Sequence, residues 1–164
     1  MKKEQLGKLI IASEDTMYHV AKTLLYNDAD CADAIQETIV KAFTKIKTLK
    51  SDDYAKTWLI RILINECYAI MRKEKNIVSL EAYAMKEKHS DMGAMDVEQK
   101  VDLYNAIGHL SEKSRLAIVL YYIEGYSVKE IAKMFETSES AIKNRLARAR
   151  EKMKGELTKE AAQI

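Results

Sequence analysis

Ser127-Val-Lys-Glu-Ile-Ala-Lys-Met-Phe-Glu-Thr-Ser-Glu-Ser-Ala-Ile-Lys-Asn-Arg-Leu146 reads as two helices around a tight turn. Ser127 stands where an N-cap is wanted, with Glu130 at the capping-box position three residues on. Ala132 is small where two helices must cross closely. Ser138 can cap a second helix, on which Ile142, Leu146, Ala149 and Met153 follow i, i+4, i+7, i+11 and form a core face. At 100° per residue, Ser140, Lys143, Asn144, Ala147 and Arg148 fall outside that face. Residues 141–155 hold Lys143, Arg145, Arg148, Arg150, Lys152 and Lys154 against one acid, Glu151. Lys, Arg and Asn are the side chains that read guanine and adenine edges, and this geometry lays such a helix in a major groove. The turn carries Glu136 where a positive φ would suit Gly or Asn.

Upstream of this pair, a buried-looking helix runs from Arg115 to Glu124 and stops at Gly125. The second helix of the pair is expected from about Glu139 to Gly155, the first around Val128 to Phe135. Before them the helical period is carried by Val101, Tyr104, Ile107 and Leu110. Residues Asn76 to Asp96 have weak periodicity and read as a linker. Further back, Ile35, Ile39, Ala42, Phe43 and Ile46 form one apolar stripe. A polar break at Lys50 to Asp53 precedes a second helix. There Trp58, Leu59, Ile62, Leu63, Ala69 and Ile70 share a broad apolar arc, widened by Ile60, Ile64 and Cys67. An arc that wide predicts packing on two neighbours. Glu66 lies inside it with no partner evident, and Trp58 is placed in the core.

The N-terminal module has two polar faces. Asp28, Asp30, Asp33 and Glu37 lie in a stretch with no basic residue. Asp33, Gln36 and Glu37 share one side of their helix, opposite the Ile35/Ile39/Phe43 stripe, and suit a basic protein surface. A plain solvated face explains them as well. Arg61, Asn65, Tyr68 and Arg72 recur at i, i+4, i+7, i+11. They mix cations with a ring, as grooves for unpaired bases do. A surface tyrosine flanked by arginines is the plainer account.

Composition bounds the rest. With 164 residues, no proline and five glycines, the chain lacks the turn content of a sandwich or barrel. At 48% hydrophobic and 32% charged it can bury a core. The fold class expected is all-α, two helical modules joined by a flexible linker, the C-terminal one a helix-turn-helix. A net charge of +2 means that nucleic-acid affinity must come from local clustering. Cys31 and Cys67 have no paired spacing and read as reduced thiols, and three scattered histidines make no zinc pattern. The longest apolar run, Leu116 to Ile123, is far below the roughly 20 residues of a bilayer span. The N-terminal Leu9–Ala12 segment is too short, and too soon followed by Glu14 and Asp15, for a secretory signal. The chain is expected in the cytoplasm. No phosphate loop, nucleophile elbow or calcium loop is present, so no cofactor, metal, small-molecule substrate or catalysis is expected.

Three stretches in order resemble the sigma factors of RNA polymerase, extracytoplasmic-function (ECF) group of the sigma-70 family. Asp33-Ala-Ile-Gln-Glu-Thr-Ile-Val-Lys-Ala-Phe43 is similar to the helix that binds core polymerase. Thr57-Trp-Leu-Ile-Arg-Ile-Leu-Ile-Asn65, continuing to Met71-Arg72-Lys73, resembles the helix that captures the melted minus-ten element. Gly125 to Ala132 with Ala141 to Arg150 is similar to the helix-turn-helix that reads the minus-thirty-five element. The sequence departs from the family at Ala69, where an acid is usual, at Ala141-Ile142 and at Glu136.

The resemblance implies residues 1–76 as a region 2-like domain, 77–96 as linker and 97–164 as a region 4-like domain. It implies polymerase contacts at Asp33, Gln36 and Glu37. Minus-ten contacts fall on Arg61, Asn65, Tyr68 and Arg72, with Lys50 to Tyr54 pocketing a flipped base. Minus-thirty-five contacts fall on Ser140, Lys143, Asn144, Arg145, Arg148 and Arg150. Bacterial core RNA polymerase, promoter DNA and a membrane-anchored anti-sigma factor are the partners implied. The readings that compete with it are a dimeric helix-turn-helix regulator on operator DNA and a helical adaptor that binds no DNA.

Overall fold

Asn27 opens the helix on which the N-terminal unit is built. Its side chain accepts from the backbone N–H groups of Ala29 at 2.7 Å and Asp30 at 3.3 Å. Asp28 and Asp30 add negative charge to the first turn, where the helix dipole favours it. The structure, a computed structural model, describes residues 1–77 and 106–162. Every regular element among them is helical. The N-terminal unit contains α1 (Lys3–Ala12), α2 (Glu14–Leu24), α3 (Asp28–Thr44) and α4 (Ala55–Ile77). Two short 3-10 turns, Ile46–Thr48 and Asp52–Tyr54, bridge α3 to α4. After residue 105 come α5 (Glu112–Ile118), a π-helical turn (Val119–Ile123), α6 (Val128–Met134) and α7 (Glu139–Ala162). The chain divides into two units, and the expected all-α class in two modules is what it adopts. Of the stretch read as a linker, only Asn76 and Ile77 lie within the described residues, as the end of α4. Val101 and Tyr104 lie outside them.

In the N-terminal unit α4 packs on both α2 and α3, the two neighbours that its wide apolar arc calls for. The centre of that arc is Leu59, Ile60, Leu63, Ile64 and Cys67, all buried. Trp58, Ile62, Ala69 and Ile70 are only half-buried, which corrects the placement of Trp58 in the core. On α3 the buried line is Cys31, Ala34, Thr38 and Ala42. It sits one position round from the expected stripe, with Ile35, Ile39 and Phe43 half-buried at its edge. The reason is packing distance. Small residues let α3 lie close to its neighbours, and Thr38 hides its polarity by donating to Ala34 O at 2.7 Å. Both cysteines are free and buried, and burial pushes the thiols up to about 11 for Cys31 and about 12 for Cys67.

In the C-terminal unit Ser111 caps α5, accepting from Ser114 N–H at 3.4 Å. The helix thus starts before Arg115, and Leu116, Ala117 and Ile118 are buried. The π-turn that follows swings Tyr121, Tyr122 and Ile123 to the surface, so the run expected to be buried throughout is exposed at its end. Gly125 closes the segment at φ +77°, with Tyr126 N–H bonded to Leu120 O at 2.9 Å. Nothing lies within 4 Å of the place where a Cβ would stand at Gly125. Gly125→Ala should therefore cost backbone strain alone, about 1–2 kcal/mol. In this unit that means a melting temperature lower by roughly 4–8 °C per kcal/mol, read by calorimetry.

Candidate nucleic-acid and protein interfaces

Ser127 Oγ accepts from Glu130 N–H at 3.1 Å, and its hydroxyl donates to Glu130 Oε1 at 3.0 Å, starting α6. Ile131 and Ala132 are buried. Thr137 N–H then reaches back to Ala132 O at 3.0 Å, a closure that needs one left-handed residue. Glu136 supplies it at φ 54°, the sole non-glycine positive φ among the described residues. Ser138 Oγ accepts from Ala141 N–H at 3.1 Å and starts α7.

The face α7 turns inward is the one its spacing gives. Ile142, Leu146 and Ala149 are buried, and Met153 is half-buried. Ser140, Lys143, Asn144, Ala147 and Arg148 are all exposed on the other side, and Arg145 is half-buried at its margin. α7 runs to Ala162, through Gly155 rather than ending there. Arg150 is exposed but turned to a different neighbour. Its Nη1 donates to the Tyr122 hydroxyl at 3.0 Å. Tyr122 in turn meets Tyr121 edge-on at 4.9 Å between ring centroids. Arg150 and Tyr122 border an apolar groove of about 670 Å³ with Ile107, Ile118, Ile123 and Met153. Sequence periodicity missed this groove, because the π-turn alone brings Tyr122 and Ile123 to its rim.

On the N-terminal unit, Asp33, Gln36 and Glu37 are exposed together on α3. Val40, one turn on, is 59% exposed. Arg61, Asn65 and Arg72 are exposed along one side of α4, with Tyr68 half-buried between them. Ser51 Oγ accepts from Asp53 N–H at 3.4 Å, so the loop before α4 is a capped 3-10 turn. Between α3 and α4 lies a cleft of about 570 Å³. Asp33, Ala34 and Glu37 line one side and Glu66, Ala69 and Ile70 the other.

Glu66 has the partner that the sequence did not reveal. Lys41 Nζ of α3 bonds its Oε1 at 2.5 Å, and the Glu66 side chain is only 12% exposed. The hydrogen bond to Glu66 raises the Lys41 pKa above the ordinary lysine value. A raised lysine stabilises the fold at neutral pH, and that contribution is lost as pH rises through the folded-state value. Pairs of this partly buried kind fall between surface and buried cases. A Lys41→Met/Glu66→Gln double-mutant cycle should give about 1 kcal/mol of coupling at pH 7. Measured above the alkaline titration of Lys41, the coupling should vanish.

The family model described as Sigma-70 region 2 matches residues 9–77, and that described as Sigma-70, region 4 matches residues 100–153. RNA polymerase sigma factor SigV of Bacillus subtilis is 28% identical over 165 residues, 98% of this chain and 98% of that one. The ECF RNA polymerase sigma-E factor of Escherichia coli K12 is 28% identical over 135 residues, 74% of this chain and 71% of that one. Among solved structures, the sigma factor RpoE of Bartonella quintana, crystallised with the anti-sigma factor NepR, matches with a TM-score of 0.73. It is 27% identical over 95% of this chain and 96% of that one. CnrH, solved with the cytosolic domain of CnrY, shares the fold at a TM-score of 0.69 and 23% identity, over 96% of this chain and 90% of that one.

Proposed function

The chain belongs to the sigma-70 family as an RNA polymerase sigma factor of the extracytoplasmic-function group, and we propose how its residues divide the work. It is an alternative sigma factor, a DNA-binding regulatory protein that directs core polymerase to promoters and supports initiation. The observation that carries the division is the pairing of faces. An acidic helix face and a cation-and-ring stripe share one unit, and a basic helix-turn-helix face occupies the other.

In this reading residues 1–76 are the region 2-like domain, 77–96 the linker and 97–164 the region 4-like domain. Asp33, Gln36 and Glu37 grip core polymerase. Arg61, Asn65, Tyr68 and Arg72 hold the unpaired minus-ten strand by charge and stacking. Ser140, Lys143, Asn144, Arg145 and Arg148 enter the minus-thirty-five major groove. Arg150, turned to Tyr122, serves that contact from its edge by tying the middle of α7 to the π-turn. The exposed apolar rim at Tyr122 and Ile123 is the kind of surface that marks protein contact. The protein has no chemistry of its own and works in the cytoplasm, held in check by an anti-sigma factor anchored at the membrane. No described helix is long and apolar enough to cross a membrane. Promoter affinity comes from polymerase holding both modules over one DNA, which raises their effective concentration.

The test is co-migration of the purified chain with sigma-free bacterial core RNA polymerase on a sizing column, followed by transcription from a pool of promoter fragments. A stoichiometric complex that transcribes a subset of the pool is the expected result. A chain that elutes as a dimer and ignores polymerase would replace this reading with that of an operator-binding regulator.

A further inference from the structure

The cleft between α3 and α4 has a composition that neither helix has alone. Asp30, Asp33 and Glu37 stand on the α3 wall, Glu66 and Glu74 with one cation, Lys73, on the α4 wall, and Ala34, Ala69 and Ile70 are the apolar lining. A long aliphatic stem ending in a cation matches such a lining, with the stem on apolar surface and the head among carboxylates. The chain already makes this contact once. Lys41 extends from α3 and places its ammonium on Glu66. With Glu66 so paired, Asp30, Asp33, Glu37 and Glu74 still outnumber Lys73, the one cation in the lining, and the cleft stays negative. The cleft has a volume of about 570 Å³, room enough for an inserted side chain.

We propose that this cleft is a socket for one arginine or lysine side chain of core RNA polymerase, and that Ala69 keeps it open. The proposal rests on the assignment of the Asp33/Gln36/Glu37 face to polymerase and extends that contact from α3 onto α4. Glu66 and Ala69 each follow a member of the Asn65/Tyr68/Arg72 stripe in sequence, about 100° round the helix. The cleft wall and the strand-binding stripe are therefore neighbouring sides of one rigid element. A polymerase side chain seated in the cleft would bear directly on the helix that holds the minus-ten strand.

Ala69 is half-buried at the cleft, so a larger residue there fills the socket without changing its charge. Ala69→Leu is expected to weaken binding to sigma-free core polymerase about tenfold or more in a fluorescence titration, the loss of one good anchor. Ala69→Ser, which leaves the cleft open, should bind as wild type. The melting temperature of both should stay within about 2 °C of wild type. Should the leucine variant fail to fold, Ala69→Lys reads the same point, because it puts this chain's own ammonium where the polymerase cation would go. Asp33→Arg is measured alongside. Loss of binding in Asp33→Arg with wild-type affinity in the folded Ala69 variants would overturn the socket and leave the α3 face standing. Wild-type affinity in all of them would overturn both.

Discussion

Asp33→Arg is expected to remove the chain from the core polymerase peak on a sizing column, with a dissociation constant raised about 100-fold. The residue is exposed in the body of α3, off the buried Cys31/Ala34/Thr38/Ala42 line. The change swings the local charge by two units in a stretch, 28–37, that holds four acids and no base. Placing like charges against one another at an interface costs several kcal/mol, far more than is gained by pairing rim charges. Folding should not suffer, because arginine is the better helix former and no buried contact is lost. The helix-turn-helix unit is untouched. Asp15→Arg, the same charge change at an exposed site on α2, is the control and should co-migrate as wild type. The defect should ease as salt is raised and deepen as salt is lowered, since screening weakens the repulsion between like charges. Co-migration of Asp33→Arg at wild-type affinity would place polymerase on another face of the unit.

The helix-turn-helix was legible because two codes agree there. Ser127 and Ser138 announce the caps, and the i, i+4, i+7 spacing of Ile142, Leu146 and Ala149 fixes which side of α7 faces in. Cations then occupy the remaining side by geometry. α3 was less legible because hydrophobicity ranks Ile35 and Ile39 above Ala34 and Thr38, while close helix packing ranks them the other way. A small residue at a crossing point contributes through distance, which no hydropathy scale records. Glu66 was opaque for a different reason. Its partner Lys41 is 25 residues away on another helix, and only the α3–α4 packing brings them together. The π-turn at Val119–Ile123 follows an unbroken apolar run that reads as buried, so the exposure of Tyr122 and Ile123 had no sequence signal. Glu136 reads as a misfit for a positive φ, and the chain adopts that φ regardless because the Thr137-to-Ala132 closure requires it. In each case the sequence records the preferences of a single residue, and the outcome was decided by its neighbours.

The second large effect lies on α7. Arg148→Ala should leave core polymerase binding at wild-type strength and still reduce transcription from the cognate promoter by about 5- to 150-fold, the range of one lost bidentate base contact. Arg148 is exposed, and its helix is held by buried Ile142, Leu146 and Ala149, so its removal changes the groove-facing surface and not the fold. Base contact and phosphate contact are separable. If Arg148 reads a base, the loss concentrates on promoters carrying that base in the minus-thirty-five element, and the salt dependence is unchanged. If it holds a phosphate, all promoters weaken alike and the logarithmic salt slope falls by about 1. Arg150→Ala provides the contrast. Its guanidinium is committed to the Tyr122 hydroxyl at 3.0 Å, beside the apolar groove. Its loss should lower transcription from every promoter by a similar, smaller factor, because it loosens the middle of α7 from the π-turn and erases no base contact. Equal and promoter-specific losses for Arg148 and Arg150 would mean that the Tyr122 bond opens on DNA and that Arg150 reads the groove itself.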